Sequence, residues 1–253
     1  VIAQVAVRPP AGMSVALGRG CASRPPWLRK GLAMSYEQLA EALAFCGNSL
    51  LSPMTQTSSI GLDPSFWRNF PAFDDERVAA ATEGLAQWAE RFGESTESNG
   101  ADPALACAVE YTRLFVGPPS PAAAPWETMH RAHGDAAKEV TVGFGDSTFE
   151  MRSLLRDLGL ELSNKNRQYE DHMGIELMYL SELCRRRAAG GECVGEPWSD
   201  ERIAEFVHNH PLAWIDAFAS RVREAVPDGY FDHLLALVKA LLEMVSPESA
   251  SRL

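Results

Sequence analysis

Long hydrophobic runs are missing from this sequence. No uncharged apolar stretch reaches the ~20 residues that span a bilayer. The longest charge-free segment, Ala42 to Leu62, is broken by Asn48, Pro53 and several Ser and Thr. No integral membrane segment is expected. The common phosphate and nucleophile signatures are also missing: G-x-x-x-x-G-K-[ST], G-x-G-x-x-G and G-x-S-x-G do not occur. Basic residues are scarce, 23 Lys and Arg against 34 Asp and Glu, for a formal charge of −11. A phosphate backbone selects the opposite balance, so nucleic acid is not the expected partner.

Cysteine is sparse and unpatterned. Cys21, Cys46, Cys107, Cys184 and Cys193 are an odd number with no C-x-x-C pair, which fits reduced thiols filling a core. The nearest two, Cys184 and Cys193, are separated by eight residues that include Gly190 and Gly191, a poor zinc spacing. No metal and no cofactor is expected. What is present is ordinary for a globular chain: 253 residues, 46% of them hydrophobic, enough for a sizeable core.

Composition divides the chain near Met34. Residues 1–33 carry Arg8, Arg19, Arg24, Arg29 and Lys30, four prolines and no acid, which leaves −16 on the remaining 220 residues. Val15-Ala16-Leu17 is too short for the apolar core of a signal peptide, although the Arg-rich, acid-poor text leaves a transit peptide open. We read 1–33 as an N-terminal extension, disordered or derived from an over-extended start, and 34–253 as the folded domain.

From Ser35, an N-cap candidate, the text is helical nearly throughout. Leu39, Leu43, Phe45, Cys46 and Leu50 mark a first helix; Asp74-Asp75-Glu76 open a second with Val78, Leu85 and Trp88. Asp102-Pro103 open a third, running to Val116. Gly117 to Pro125 holds four prolines in nine residues and predicts an extended loop. Helices are expected again over 147–157, 170–187, from Ser199 to a break at Pro211, beyond Pro211, and from Phe231 to Val245. Only 139–144 hints at a strand. The fold class is all-α: a single compact multi-helix bundle with a proline-rich loop or hinge over about 117–146.

Two patterns carry chemistry. Glu127-Thr128-Met129-His130 and Glu205-Phe206-Val207-His208 are both E-x-x-H units, as in a carboxylate-bridged di-metal helical-bundle enzyme. Context weakens that alternative: Glu127 sits just past Pro125, and Phe206 and Val207 take the core stripe, turning Glu205 to water. The second pattern joins Glu110-Tyr111-Thr112-Arg113-Leu114-Phe115-Val116-Gly117-Pro118, then Pro125-Trp126-Glu127, then Glu170-Asp171-His172-Met173-Gly174. A proline-rich loop has little entropy left to lose and can present Trp126 at low cost. Asp171 could receive a guanidinium that His172 orients. Equally, Tyr111, Leu114 and Phe115 could be helix core and Asp171 an N-cap. Residues alone leave peptide binding and pure scaffold both open.

The three segments, in this order, resemble the TorD/DmsD family of redox-enzyme maturation chaperones, related to the NarJ type. The resemblance runs from about Tyr36 to Val245 and includes His210-Pro211-Leu212-Ala213-Trp214. Ala124 and Tyr169 depart from it, standing where the family usually has proline. The resemblance implies a cytoplasmic, all-helical protein that is not an enzyme and has no catalytic residue. Its expected partner is the twin-arginine leader of a molybdopterin-dependent oxidoreductase of the DMSO/TMAO reductase type, held before Tat export. The implied leader-binding residues are Tyr111, Arg113, Leu114, Phe115, Gly117, Pro125, Trp126, Glu127, Asp171 and His172. Monomers and domain-swapped homodimers both occur in such a family, with the loop from Val116 to Trp126 as a hinge.

Overall fold

The computed structural model describes residues 35–131, 142–162, 168–190 and 195–246. Among these are ten α-helices and no strand. They are α1 (Tyr36–Leu51), α2 (Pro64–Arg68), α3 (Glu76–Asn99), α4 (Pro103–Tyr111), α5 (Thr128–Arg131), α6 (Asp146–Asp157), α7 (Met173–Gly190), α8 (Asp200–Asn209), α9 (Pro211–Ala225) and α10 (Tyr230–Val245). The all-α expectation holds. Residues 1–33 and the strand hint at 139–141 lie outside the described residues.

Four helix starts are set by caps legible as text. Ser35 accepts from Gln38 N, Asp75 from Arg77 N and Val78 N, Asp102 from Ala104 N and Leu105 N, and Ser199 from Arg202 N. Each side chain satisfies amide hydrogens that the first turn leaves unpaired. α10 starts differently, because Gly229 has no side chain to offer. Glu110 of α4 reaches across and accepts from Tyr230 N and Phe231 N, in space that a Cβ on Gly229 would fill. This long-range cap ties α4 to α10.

α7 and α10 are buried over most of their surface, so they form the interior and the other helices wrap them. α10 packs on α1, α3, α8 and α9, while α1 lies along α7. Aromatic side chains fill the centre: Phe115 meets Phe231 at 4.9 Å and Phe218 at 5.8 Å between ring centroids, and Tyr111 meets Phe231 at 5.9 Å. The helix expected to run to Val116 changes pitch at Thr112. Residues Thr112–Val116 form one π turn, ending at Gly117 with φ +90°. The widened turn brings the consecutive residues Leu114 and Phe115 both into the core.

Two expectations shift. The helix expected from Glu170 begins at Met173, because residues 169–172 are used in holding the preceding loop. Within the hinge expected over 117–146, Trp126 forms an isolated antiparallel bridge with His172, and residues 128–131 make the single turn of α5. Residues 132–141 lie outside the described residues.

α1 and α7 approach closely only because each has a glycine at the crossing. A Cβ on Gly174 would lie 2.7 Å from Leu51 Cγ and 2.8 Å from Gly47 O; one on Gly47 would lie 2.9 Å from Gly174 O. The Gly47 and Gly174 carbonyl oxygens are backbone and cannot yield unless a helix moves. Gly174→Ala is therefore expected to destabilise by ~1–3 kcal/mol, a fall in melting temperature of several degrees at ~2–4 °C per kcal/mol. Gly93→Ala inside α3, where a Cβ meets nothing within 4 Å, should instead gain ~0.5–1 kcal/mol from helix propensity. Thermal denaturation of the two variants checks the opposite signs.

Candidate functional site

The loop after the prolines is seated on the start of α7. Met173 N donates to Pro125 O at 2.9 Å, and Glu127 N donates to Asp171 O at 2.9 Å. Asp171 Oδ2 also accepts from Thr128 N at 3.1 Å and from the Thr128 hydroxyl. The carboxylate thus meets the first amide of α5. His172 Nδ1 accepts from Gly174 N at 2.9 Å, closing a free amide of α7. Burial pushes the His172 ring down to about 3, so it is neutral, with its proton on Nε2. The Trp126 ring stands edge-on to it at 6.0 Å.

Glu127 extends this seat into the core. It is fully buried, and its two oxygens accept from Arg131 Nη1 at 2.6 Å and His210 Nδ1 at 3.1 Å. Burial alone would raise this carboxyl; the His210 and Arg131 hydrogen bonds outweigh it and hold the group below the usual carboxylate range. Glu176 of α7 is also fully buried and accepts from Trp214 Nε1 at 3.1 Å. Burial, together with the nearby charges of Glu127 and Asp171, pushes Glu176 well above its ordinary value. Two carboxyls that share a buried site divide the roles. Glu127, which has the cation, is ionised, and Glu176 keeps a proton.

The residues expected from sequence separate into three groups. Tyr111, Leu114 and Phe115 are buried core, so the scaffold reading describes them in this conformation. Pro125, Glu127, Asp171 and His172 are brought together, yet all are buried. In this conformation the Asp171 and His172 side chains are enclosed: Asp171 Oδ2 and His172 Nδ1 hold the loop and α7, while Asp171 Oδ1 and His172 Nε2 have no hydrogen-bond partner among the described residues. Arg113 is exposed, and Gly117 turns tightly over the Ser120 backbone. Trp126 is half-buried and faces Tyr169 at 6.5 Å. Around it lie side chains the sequence reading did not select. Met129, Phe144, Phe149 and Tyr169 are all exposed, Phe144 by 70%. Thr128 packs on Gly145, and the Tyr169 ring on Gly143, which sets the turn that carries Phe144 beside Thr128 and Tyr169.

The di-metal alternative does not assemble. Glu205 and His208 face solvent, with Glu205 paired to Arg202. Glu127 is bound as above, and His130 meets Ala124 O while stacking on Trp214. Among the described residues no three His, Cys, Asp or Glu are grouped to hold a metal. Glu176 was missed by sequence reasoning, although a single acid inside Met173-Gly174-Ile175-Glu176-Leu177-Met178-Tyr179-Leu180 was a readable signal.

Fold and site together describe an all-helical protein whose interior polar groups position a loop. Residues 73–220 match the family model described as nitrate reductase delta subunit, and the chain belongs to that family. It is 32% identical over 142 residues to the chaperone protein TorD of Aeromonas salmonicida (strain A449), covering 56% of this chain and 59% of that protein. It is 21% identical over 176 residues to the chaperone protein TorD of Vibrio parahaemolyticus serotype O3:K6 (strain RIMD 2210633), covering 68% of this chain and 75% of that one. The chain thus spans less than two thirds of the Aeromonas relative. These findings uphold the resemblance to TorD-type maturation chaperones, and the relatives carry the name of chaperones, not of enzymes.

The network makes a signed prediction. Glu176 holds a proton in the native state that the unfolded chain gives up above its ordinary pKa. It therefore removes stability as pH rises from there toward its native value. Glu176→Gln keeps an acceptor for Trp214 and abolishes this titration. Its melting temperature should equal or exceed wild type at pH 8, with the difference shrinking toward pH 5. Glu127→Gln should lose roughly 1.5–3 kcal/mol at either pH, because it strips a charged acceptor from Arg131 and His210. Melting curves at the two pH values separate the carboxyls.

Proposed function

We propose that this protein is a cytoplasmic chaperone that binds the twin-arginine leader of a molybdopterin-dependent oxidoreductase and assists its maturation before export. Family membership and the TorD-named relatives support the maturation role. The observation that carries leader binding is the half-buried Trp126 against Tyr169, with Met129, Phe144 and Phe149 also exposed on the segments around it, on a chain of net charge −11. A twin-arginine leader supplies the complement, a basic pair followed by an apolar run. Acidic surface speeds encounter and is screened over ~8 Å at physiological salt, while aromatic contact sets dissociation. The Asp171 and His172 pair acts beneath these side chains by holding the Trp126 loop on α7.

A labelled synthetic leader, Arg-Arg followed by an apolar segment, measures this by fluorescence anisotropy and stopped-flow. Phe144→Ser and Trp126→Ala should each raise the dissociation rate, Trp126→Ala by an amount worth ~2 kcal/mol. Raising salt should lower mainly the association rate. Phe144→Ser alters an exposed side chain and should leave the melting temperature unchanged, which separates binding from folding. Wild-type protein that ignores the leader yet co-purifies with a leaderless client would overturn leader binding and point to the mature part of the enzyme.

A further inference from the structure

A cleft of about 280 Å³ opens between α6, α7 and α8, on the far side of the Glu127 network. Drug-sized ligands occupy sites of ~300–1,000 Å³, so this cleft suits one long side chain better than a nucleotide. Leu154, Leu158, Leu183 and Phe206 give it apolar walls. Three polar groups line it with an atom that has no partner among the described residues. His210 and Tyr179 are 7% and 4% exposed. Neither His210 Nε2 nor Tyr179 Oη has a hydrogen-bond partner among the described residues, and neither is sealed from the cleft. Asp157, at the rim, has no ion pair among the described residues.

The chemistry of these groups has one direction. Glu127 is a carboxylate and only accepts, so His210 Nδ1 carries a proton, and Nε2, which has no partner among the described residues, can accept. Asp157 accepts only, and the Tyr179 oxygen can accept. Burial first, and the Asp157 charge second, push the Tyr179 phenol up to about 12, so it stays neutral. The cations around the cleft are already engaged. Arg202 donates to Glu205 at 2.7 Å, and Arg131 donates to Glu127 and to Asn209 O. What is missing is a cation rich in N–H donors on an apolar stem. That is an arginine side chain, with five donors, no acceptor and a methylene stem that packs on leucine and phenylalanine.

We propose that the cleft between α6, α7 and α8 receives an arginine side chain, and, resting on the leader-binding reading above, that this arginine is one of the leader's pair. The aromatic side chains around Trp126 then take the apolar run, and Glu127 couples the two by touching His210 while following Trp126 in the chain.

The test follows the His210 ring protons by NMR in the full-length protein, first with butylguanidinium and then with the synthetic leader. Butylguanidinium should shift His210 saturably, Asp157→Asn should weaken that binding about tenfold, and butylammonium should bind less well. The Arg-Arg leader should move the same signal, and a Lys-Lys leader should move it less. A His210 signal that ignores butylguanidinium overturns the guanidinium site, whatever the affinity for the leader. A leader that binds without moving His210 overturns the arginine assignment and leaves leader binding standing. Response to butylguanidinium with no leader binding supports the cleft and defeats the leader reading.

Discussion

The arrangement of the functional half of the molecule depends on one joint, where the chain after the proline loop is laid against the first residues of α7. Backbone bonds from Met173 to Pro125 and from Glu127 to Asp171 set the register, and the Asp171 carboxylate locks it by gripping Thr128. Everything nearby inherits its position from that joint. Trp126 stands over His172, α5 starts at Thr128, and Glu127 is carried inward far enough to reach His210. Glu170, one residue before Asp171, pairs with Arg152 at 2.7 Å and brings α6 to the same place.

Polar groups this deep are costly unless they are matched; here most are, while Trp126 Nε1, Asp171 Oδ1, His172 Nε2 and Glu176 Oε1 have no partner among the described residues. Glu127 accepts from Arg131 and His210, Glu176 from Trp214, and His172 from the α7 backbone. A slip of the loop by one residue would leave a bare carboxylate in the core. We regard this network as the device that holds a surface segment, with little secondary structure of its own, in one conformation.

Much of the fold was legible because helix starts announce themselves chemically. Ser35, Asp75, Asp102 and Ser199 were readable as caps, and Pro211 and Gly117 as breaks. The short α2 escaped, although Asp63 caps it and Pro64 opens it, because five residues show no period. The site was legible as a set of residue types but not as a geometry. Pro125, Trp126, Glu127, Asp171 and His172 do come together, yet an Asp-His pair reads the same in sequence whether it faces water or is sealed beneath a loop. Leu114 and Phe115 show the same ambiguity, since the π turn that brings both inward has no local signature. The exposed Phe144 and Phe149 carried no motif and became visible only once their neighbours were placed.

The protonated Glu176 has a thermodynamic consequence of its own. Glu127 is a carboxylate in both the folded and the unfolded chain, and above neutral pH His172 is uncharged in both. Glu176 alone of the three changes its ionisation when the chain closes around it. Folding at a pH between the ordinary value of Glu176 and its raised native one therefore takes a proton from the buffer, and unfolding returns it. The heat recorded by a calorimeter then includes the ionisation heat of whichever buffer exchanges that proton, so phosphate and Tris would report different enthalpies for one and the same transition.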